Sequence, residues 1–113
     1  MEDELRAWLL DIQQAIAEIR EFLPLTVEYT QFRNDRKTKR AIERNIEIIG
    51  EAMGRLLNHS PDLPIIDARR IVDARNMIIH GYDTVSDAII WSIVRNELSG
   101  LEAEVIELLK SDS

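Results

Sequence analysis

The stretch RKTKRAIERNIEIIGEAMGRLL, residues 36–57, decides the fold. Its apolar residues Ile42, Ile46, Ile49, Met53 and Leu56/Leu57 recur every three or four positions, which sets them on one side of an α-helix and leaves no strand-like alternation. Working outward towards the N terminus, Asn34 or Asp35 can cap this helix. A short helix through Val27, Tyr29 and Phe32, capped by Thr26, precedes it. Before that, Leu5, Trp8, Leu9, Ile12, Ile16, Ile19 and Phe22/Leu23 mark one face of a long first helix. It stops before Pro24, because proline disfavours the helical conformation in the residue ahead of it.

Towards the C terminus, residues 58–64 read as a loop, and Asp67 caps a fourth helix carrying Ile71 and Ile78. That helix ends at His80, where Gly81 can supply the left-handed residue that closes many helices. Thr84 with Asp87 three positions on forms a capping box for a last helix. Its stripe is Ile90, Val94, Leu98, Leu101, Val105 and Leu108/Leu109, with Gly100 as a tolerated weak point. The expectation is all-α: an up-and-down helical bundle of four main helices plus a short one, forming a single domain over residues 1–113. Helices this long around a small core leave apolar surface over, which predicts a homodimer.

Composition narrows the chemistry. The chain has no cysteine and two histidines, which excludes disulfides, thiol catalysis and thiolate metal sites and leaves too few imidazoles for a zinc site within one chain. No metal and no cofactor is the expectation. Uncharged runs fall far short of the roughly 18 residues of a membrane span. The acidic start runs straight into an amphipathic pattern unlike a signal peptide, so a cytoplasmic protein with no membrane partner is expected.

Net charge is -7, from 14 Lys+Arg against 21 Asp+Glu, and taken alone argues against nucleic acid. Its distribution reverses that inference. Between Arg33 and Arg44, six basic residues face two acidic ones, a local excess of four positive charges against an excess of eleven negative charges elsewhere. Screening cuts interactions off beyond about 8 to 10 Å at physiological salt, so a partner responds to the patch and not to the total. Arg36, Lys37, Arg40 and Arg44 are therefore candidates for holding a phosphodiester backbone, joined by Arg69, Arg70 and Arg75 if the third and fourth helices pack side by side. A plain solvated helix start is the competing reading of the charge run.

One segment concentrates reactive groups: Ala74-Arg75-Asn76-Met77-Ile78-Ile79-His80-Gly81-Tyr82. Asn76 and His80, four apart, share a helix face, whereas Arg75 and His80, five apart, are rotated by about 140° around an ideal axis. Spacing alone leaves two readings open, a closed helix end or a catalytic cluster. His59, in an Asn-His-Ser-Pro loop with no organised partners, reads as a surface residue, and Trp8 and Trp91 fall on apolar stripes and read as core.

The pattern Arg75-Asn76-x-x-x-His80-x-Tyr82 resembles the Rx4HxY motif of the HepT-like family of HEPN domains, all-helical ribonuclease toxins of prokaryotic toxin–antitoxin pairs. Residues 44–52 look like the family's second-helix signature, residues 61–64 resemble its proline-containing loop, and residues 85–101, including Trp91, look like its last helix. The loop departs from the family in reading Leu63-Pro64-Ile65-Ile66, where members often carry a tryptophan after the proline, a difference that bears on packing more than on chemistry.

The resemblance implies a metal-independent endoribonuclease acting on RNA, tRNA among the candidates, and because one chain offers one suitable imidazole, a twofold dimer that brings two fourth helices together is expected to form a composite cleft. His80 would transfer protons and Arg75 would bind phosphate and neutralise developing charge, with Asn76, Asn45 and Glu51 in support. Asn45 is expected chiefly to tie the third helix to the fourth. The resemblance further implies a partner, a minimal nucleotidyltransferase antitoxin of the MntA type, which silences the toxin by transferring AMP to Tyr82. The alternative is a non-catalytic helical subunit of a nucleotidyltransferase that binds substrate or nucleotide through the same arginine and histidine.

Overall fold

The structure is a computed structural model that describes residues 2–80 and 87–111. Six α-helices follow one another, and no strand occurs among the described residues. Helix α1 (Asp3–Phe22) has Asp3 and Glu4 in its first turn and Arg20 in its last, charges that complement the helix dipole. It buries Leu9, Ile12, Ile16 and Ile19, while Phe22 stays 43% exposed and its neighbour Leu23 is the one that turns inward.

Helix α2 (Tyr29–Arg33) begins later than Thr26 would set it. The backbone N–H of Val27 donates to Pro24 O at 3.0 Å, so residues 24–27 form a turn. Capping falls instead to Glu28, whose backbone N–H donates to Gln31 Oε1 at 2.9 Å while its own side chain accepts in return. Helix α3 (Arg36–His59) starts as expected. Asp35 Oδ1 accepts from the Thr38 N–H at 3.1 Å and Oδ2 from Thr38 Oγ1 at 2.6 Å, bonds that hold the Asp35 carboxyl below its ordinary range.

α3 packs against α1 on one side and α4 (Ala68–Ile79) on the other. Its stripe of Ile42, Ile46, Ile49, Met53 and Leu56 is at most 1% exposed, the centre of a core completed by Phe32, Ile71, Ile93, Leu101 and Val105. Asp67 stands at the start of α4, but its side chain makes no capping bond. Its φ of 61° bends the chain there, and the loop is fastened by the Ile66 N–H donating to Glu104 Oε2 at 2.9 Å. Thr84 of the expected capping box lies outside the described residues.

The last helix is not continuous. Helix α5 (Asp87–Ser92) passes through a π-turn at Ile93–Glu97 into α6 (Leu98–Lys110), and Gly100, the expected weak point, lies inside regular α6. The widened turn aims Arg95 and Glu97 at separate targets. Arg95 Nη2 donates to Val27 O at 2.8 Å and Pro24 O at 3.1 Å, and its guanidinium carbon lies 4.3 Å from the centroid of Trp91, a cation–π contact. Trp91 in turn packs against Phe32 and Tyr29, each with ring centroids 5.5 Å away, as its apolar stripe position requires. Arg20 pairs with Glu102, closing α1 against α6. Leu25 and Ile66 are the most exposed large apolar side chains, and no helix is long and apolar enough to cross a membrane among the described residues.

Candidate active site on helices three and four

Helix α4 returns along α3 after the loop at residues 60–67. The two helices pack closely where Gly50 faces Arg75, and Lys39 Nζ of α3 lies 3.3 Å from Asp87 Oδ1.

His80 closes α4, its backbone N–H donating to Asn76 O at 3.1 Å, and it is exposed at the helix end. Arg75 is half-buried. Its Nη1 donates to Asn76 Oδ1 at 3.1 Å, its Nε is buried with no hydrogen-bond partner, and no carboxylate pairs with it among the described residues. Asn76, exposed, is thus committed through its oxygen to Arg75. Arg70, one of the cations grouped with Arg75 in sequence, has a different environment. Its Nε sits 2.9 Å from Glu97 Oε1 in an ion pair reached across to the π-turn.

The basic stretch divides in two. Arg40 and Arg44 pair with Glu43 and Glu47 one turn on, at 3.1 and 3.3 Å, while Lys39 takes Asp87. Arg36 and Lys37 are exposed with no ion-pair partner among the described residues.

Three expectations need correction. Asn45 is buried, at 3% exposure, but its Nδ2 donates to Ala41 O of its own helix at 3.1 Å and its Oδ1 has no partner, so no hydrogen bond of its side chain ties α3 to α4. Glu51, expected near the same helix surface as Asn45, is six residues on and therefore about 240° around the helix, on the other side. It is exposed, pairs with Arg55 at 2.9 Å, and borders a small groove with Trp8 of α1. His59 is organised after all, with Nε2 2.9 Å from Glu2 Oε2, Nδ1 3.1 Å from Ser60 Oγ and an edge contact to Trp8. Tyr82 lies outside the described residues.

Two features were not read from sequence. Gly50 looks no different in sequence from Gly54 one turn on, where a Cβ would meet nothing within 4 Å, so the close approach of Gly50 to Arg75 left no local mark. The Arg70–Glu97 pair joins residues 27 apart and depends on the π-turn, which leaves no local mark in sequence. Burial raises the Glu97 carboxyl above its ordinary value, with Arg70 opposing and Asp67 adding to the rise.

Comparison with known proteins gives the family. The profile of the family described as ribonuclease HepT-like matches residues 12–108. A protein of Methanocaldococcus jannaschii named "Putative RNase MJ0127" is 32% identical over 111 residues, covering 95% of this chain and 88% of its own. A "Probable ribonuclease HepT" of Thermococcus cleftensis is 34% identical over 104 residues, covering 91% of this chain and 94% of its own. No solved structure gives a significant match. With the Arg75–Asn76–His80 end of α4, the all-helical bundle and a family match spanning most of its length, the chain belongs to the HepT-like ribonuclease family.

Proposed function

We propose that the chain is a metal-independent endoribonuclease toxin that cuts RNA in a cleft shared by two subunits and is neutralised by a nucleotidyltransferase partner. The observation that carries the reading is the state of Arg75. A guanidinium held at a fixed place, uncompensated by any described carboxylate, next in sequence to an amide and five residues before an exposed imidazole, is suited to an anion with a reacting phosphorus.

The reaction needs no external nucleophile. The 2′-hydroxyl of RNA attacks the adjacent phosphorus, a base takes its proton, an acid protonates the departing 5′ oxygen, and a cation offsets the charge that gathers on the phosphoryl oxygens. His80 is the proton-transfer group and Arg75 the charge-stabilising group. One chain offers a single imidazole on this helix end, so a twofold dimer that juxtaposes two α4 ends provides base and acid together. Arg36 and Lys37, which form no close ion pair with a described residue, lead in holding the RNA, with Arg40 and Arg44 behind them.

Regulation follows the same electrostatics. Transfer of AMP from ATP to the Tyr82 hydroxyl, with release of pyrophosphate, attaches a negative phosphate two residues from His80, where it competes with RNA for Arg75. The pair would operate in the cytoplasm.

The test is to incubate RNA with purified chain in EDTA, alone and after treatment with the partner enzyme and ATP. Cleavage is expected from the untreated chain and is abolished by treatment, with Tyr82→Phe staying active after it. Intact RNA throughout, with His80→Ala behaving as wild type, would instead identify a non-catalytic binding subunit.

A further inference from the structure

We infer that Gly50 is a positioning residue for Arg75: the missing side chain on α3 is what lets the arginine stem lie directly against that helix and fixes where its guanidinium emerges. The inference rests on the reading of Arg75 as the charge-stabilising group.

The geometry is unforgiving at this point. A Cβ on Gly50 would lie 2.3 Å from Arg75 Cβ, 2.8 Å from its Cγ and 3.2 Å from Ile71 O. Rotation about χ1 could move Cγ aside, but Cβ and the Ile71 carbonyl belong to the rigid frame of α4. Any side chain at this position therefore displaces α4 from α3 and carries Arg75 with it. Gly54, one turn further along the same helix, would meet nothing within 4 Å. Glycine at position 50 thus answers to α4 and not to a general need of α3.

The rest of the arginine is placed by packing and by one neighbour. Its stem lies on Gly50, Nε is sealed in without a partner, and Nη1 is held by Asn76 at 3.1 Å. No ion pair with a described residue positions the head group, so its place is set by the helix–helix distance together with Asn76, which moves with α4. Arg70, by contrast, is held in place by Glu97 at 2.9 Å and needs no such support.

The experiment compares Gly50→Ala, Gly54→Ala, Arg75→Ala and the core variant Leu101→Ala in the full chain. Unfolding midpoints in urea are measured first, then kcat and KM for RNA cleavage in EDTA at a temperature where each variant is folded. Gly50→Ala is expected to lower kcat on the order of 10²-fold, the scale of a misplacement of about 1 Å, with KM little changed because the basic stretch of α3 is intact. Gly54→Ala and Leu101→Ala are expected to keep the wild-type kcat. A wild-type kcat in folded Gly50→Ala, a drop in affinity alone, or an equal fall in Gly54→Ala or Leu101→Ala overturns the inference. If Arg75→Ala is fully inactive while Gly50→Ala is fully active, positioning alone fails; if Arg75→Ala cleaves normally, the reading of Arg75 fails and the inference with it. Should Gly50→Ala not fold in buffer, it is assayed in trimethylamine N-oxide, which favours the folded state, beside the other variants under the same condition, and the same kcat outcomes decide.

Discussion

Three buried polar atoms among the described residues lack a hydrogen-bond partner: Asn45 Oδ1, Arg75 Nε and Glu97 Oε2. Such atoms are costly, so each marks a place where packing has overruled local satisfaction. For Glu97 the consequence is readable in pH. Its carboxyl ordinarily titrates near 4.5 and burial raises it in the fold. The unfolded chain therefore ionises this group first, and its contribution to stability is full below about 4.5 and is lost as pH rises through the elevated folded value. Glu97→Gln keeps the shape and an oxygen for Arg70 but cannot ionise. Urea unfolding from pH 4 to pH 8 is expected to show the variant gaining on wild type as pH rises. A constant difference would show that the pair with Arg70 offsets desolvation, and one that moves the other way that it outweighs it. Arg75 and Asn45 were identifiable as candidates, but the burial that leaves Arg75 Nε and Asn45 Oδ1 without partners was not, because it depends on how the helices pack.

At the scale of elements, α3 does two jobs. One face forms the core and its N-terminal end carries the cations, and both were legible because a 3.6-residue period and a charge run are local properties. What the charge run does not convey is pairing. Arg40 and Arg44 are partly neutralised by Glu43 and Glu47, whereas Arg36 and Lys37 form no close ion pair with a described residue, Lys37 acting only through space on the Asp35 carboxylate. Replacing Arg36 and Lys37 together by glutamine is expected to weaken RNA binding more than replacing Arg40 and Arg44. It should also lower the slope of log K against log salt by about 0.7 for each phosphate no longer neutralised, as for single strands. Fluorescence anisotropy over a salt series checks this, and equal effects from the two pairs would remove the distinction. The π-turn was illegible for a different reason. An α-helix and one widened by a residue have nearly the same apolar spacing over five positions, and only the distant partners, Pro24 and Val27 for Arg95 and Arg70 for Glu97, distinguish them. The start of α2 was misplaced because Thr26 is a good cap in isolation, while the turn closed by Val27 onto Pro24 uses it up.

For the whole molecule, one helix end supplies one imidazole, so the proposed reaction, which needs both a base and an acid, draws on a second subunit. Activity should then follow subunit association. Specific activity measured over a dilution series is expected to fall in step with dimer dissociation followed by sedimentation, and activity per chain that is constant into the monomer range would place the whole reaction in one subunit.

Proton transfer at the end of α4 is the step on which the proposed activity turns. The chain's two histidines, His80 at that end and His59 paired with Glu2 and Ser60 at the C-terminal end of α3, make it directly testable. Single-turnover cleavage of RNA in EDTA should fall by about 10² to 10⁴ in His80→Ala, the range typical for loss of a general acid or base, while His59→Ala retains the wild-type rate. Equal rates in the two variants would contradict the assignment of the active site.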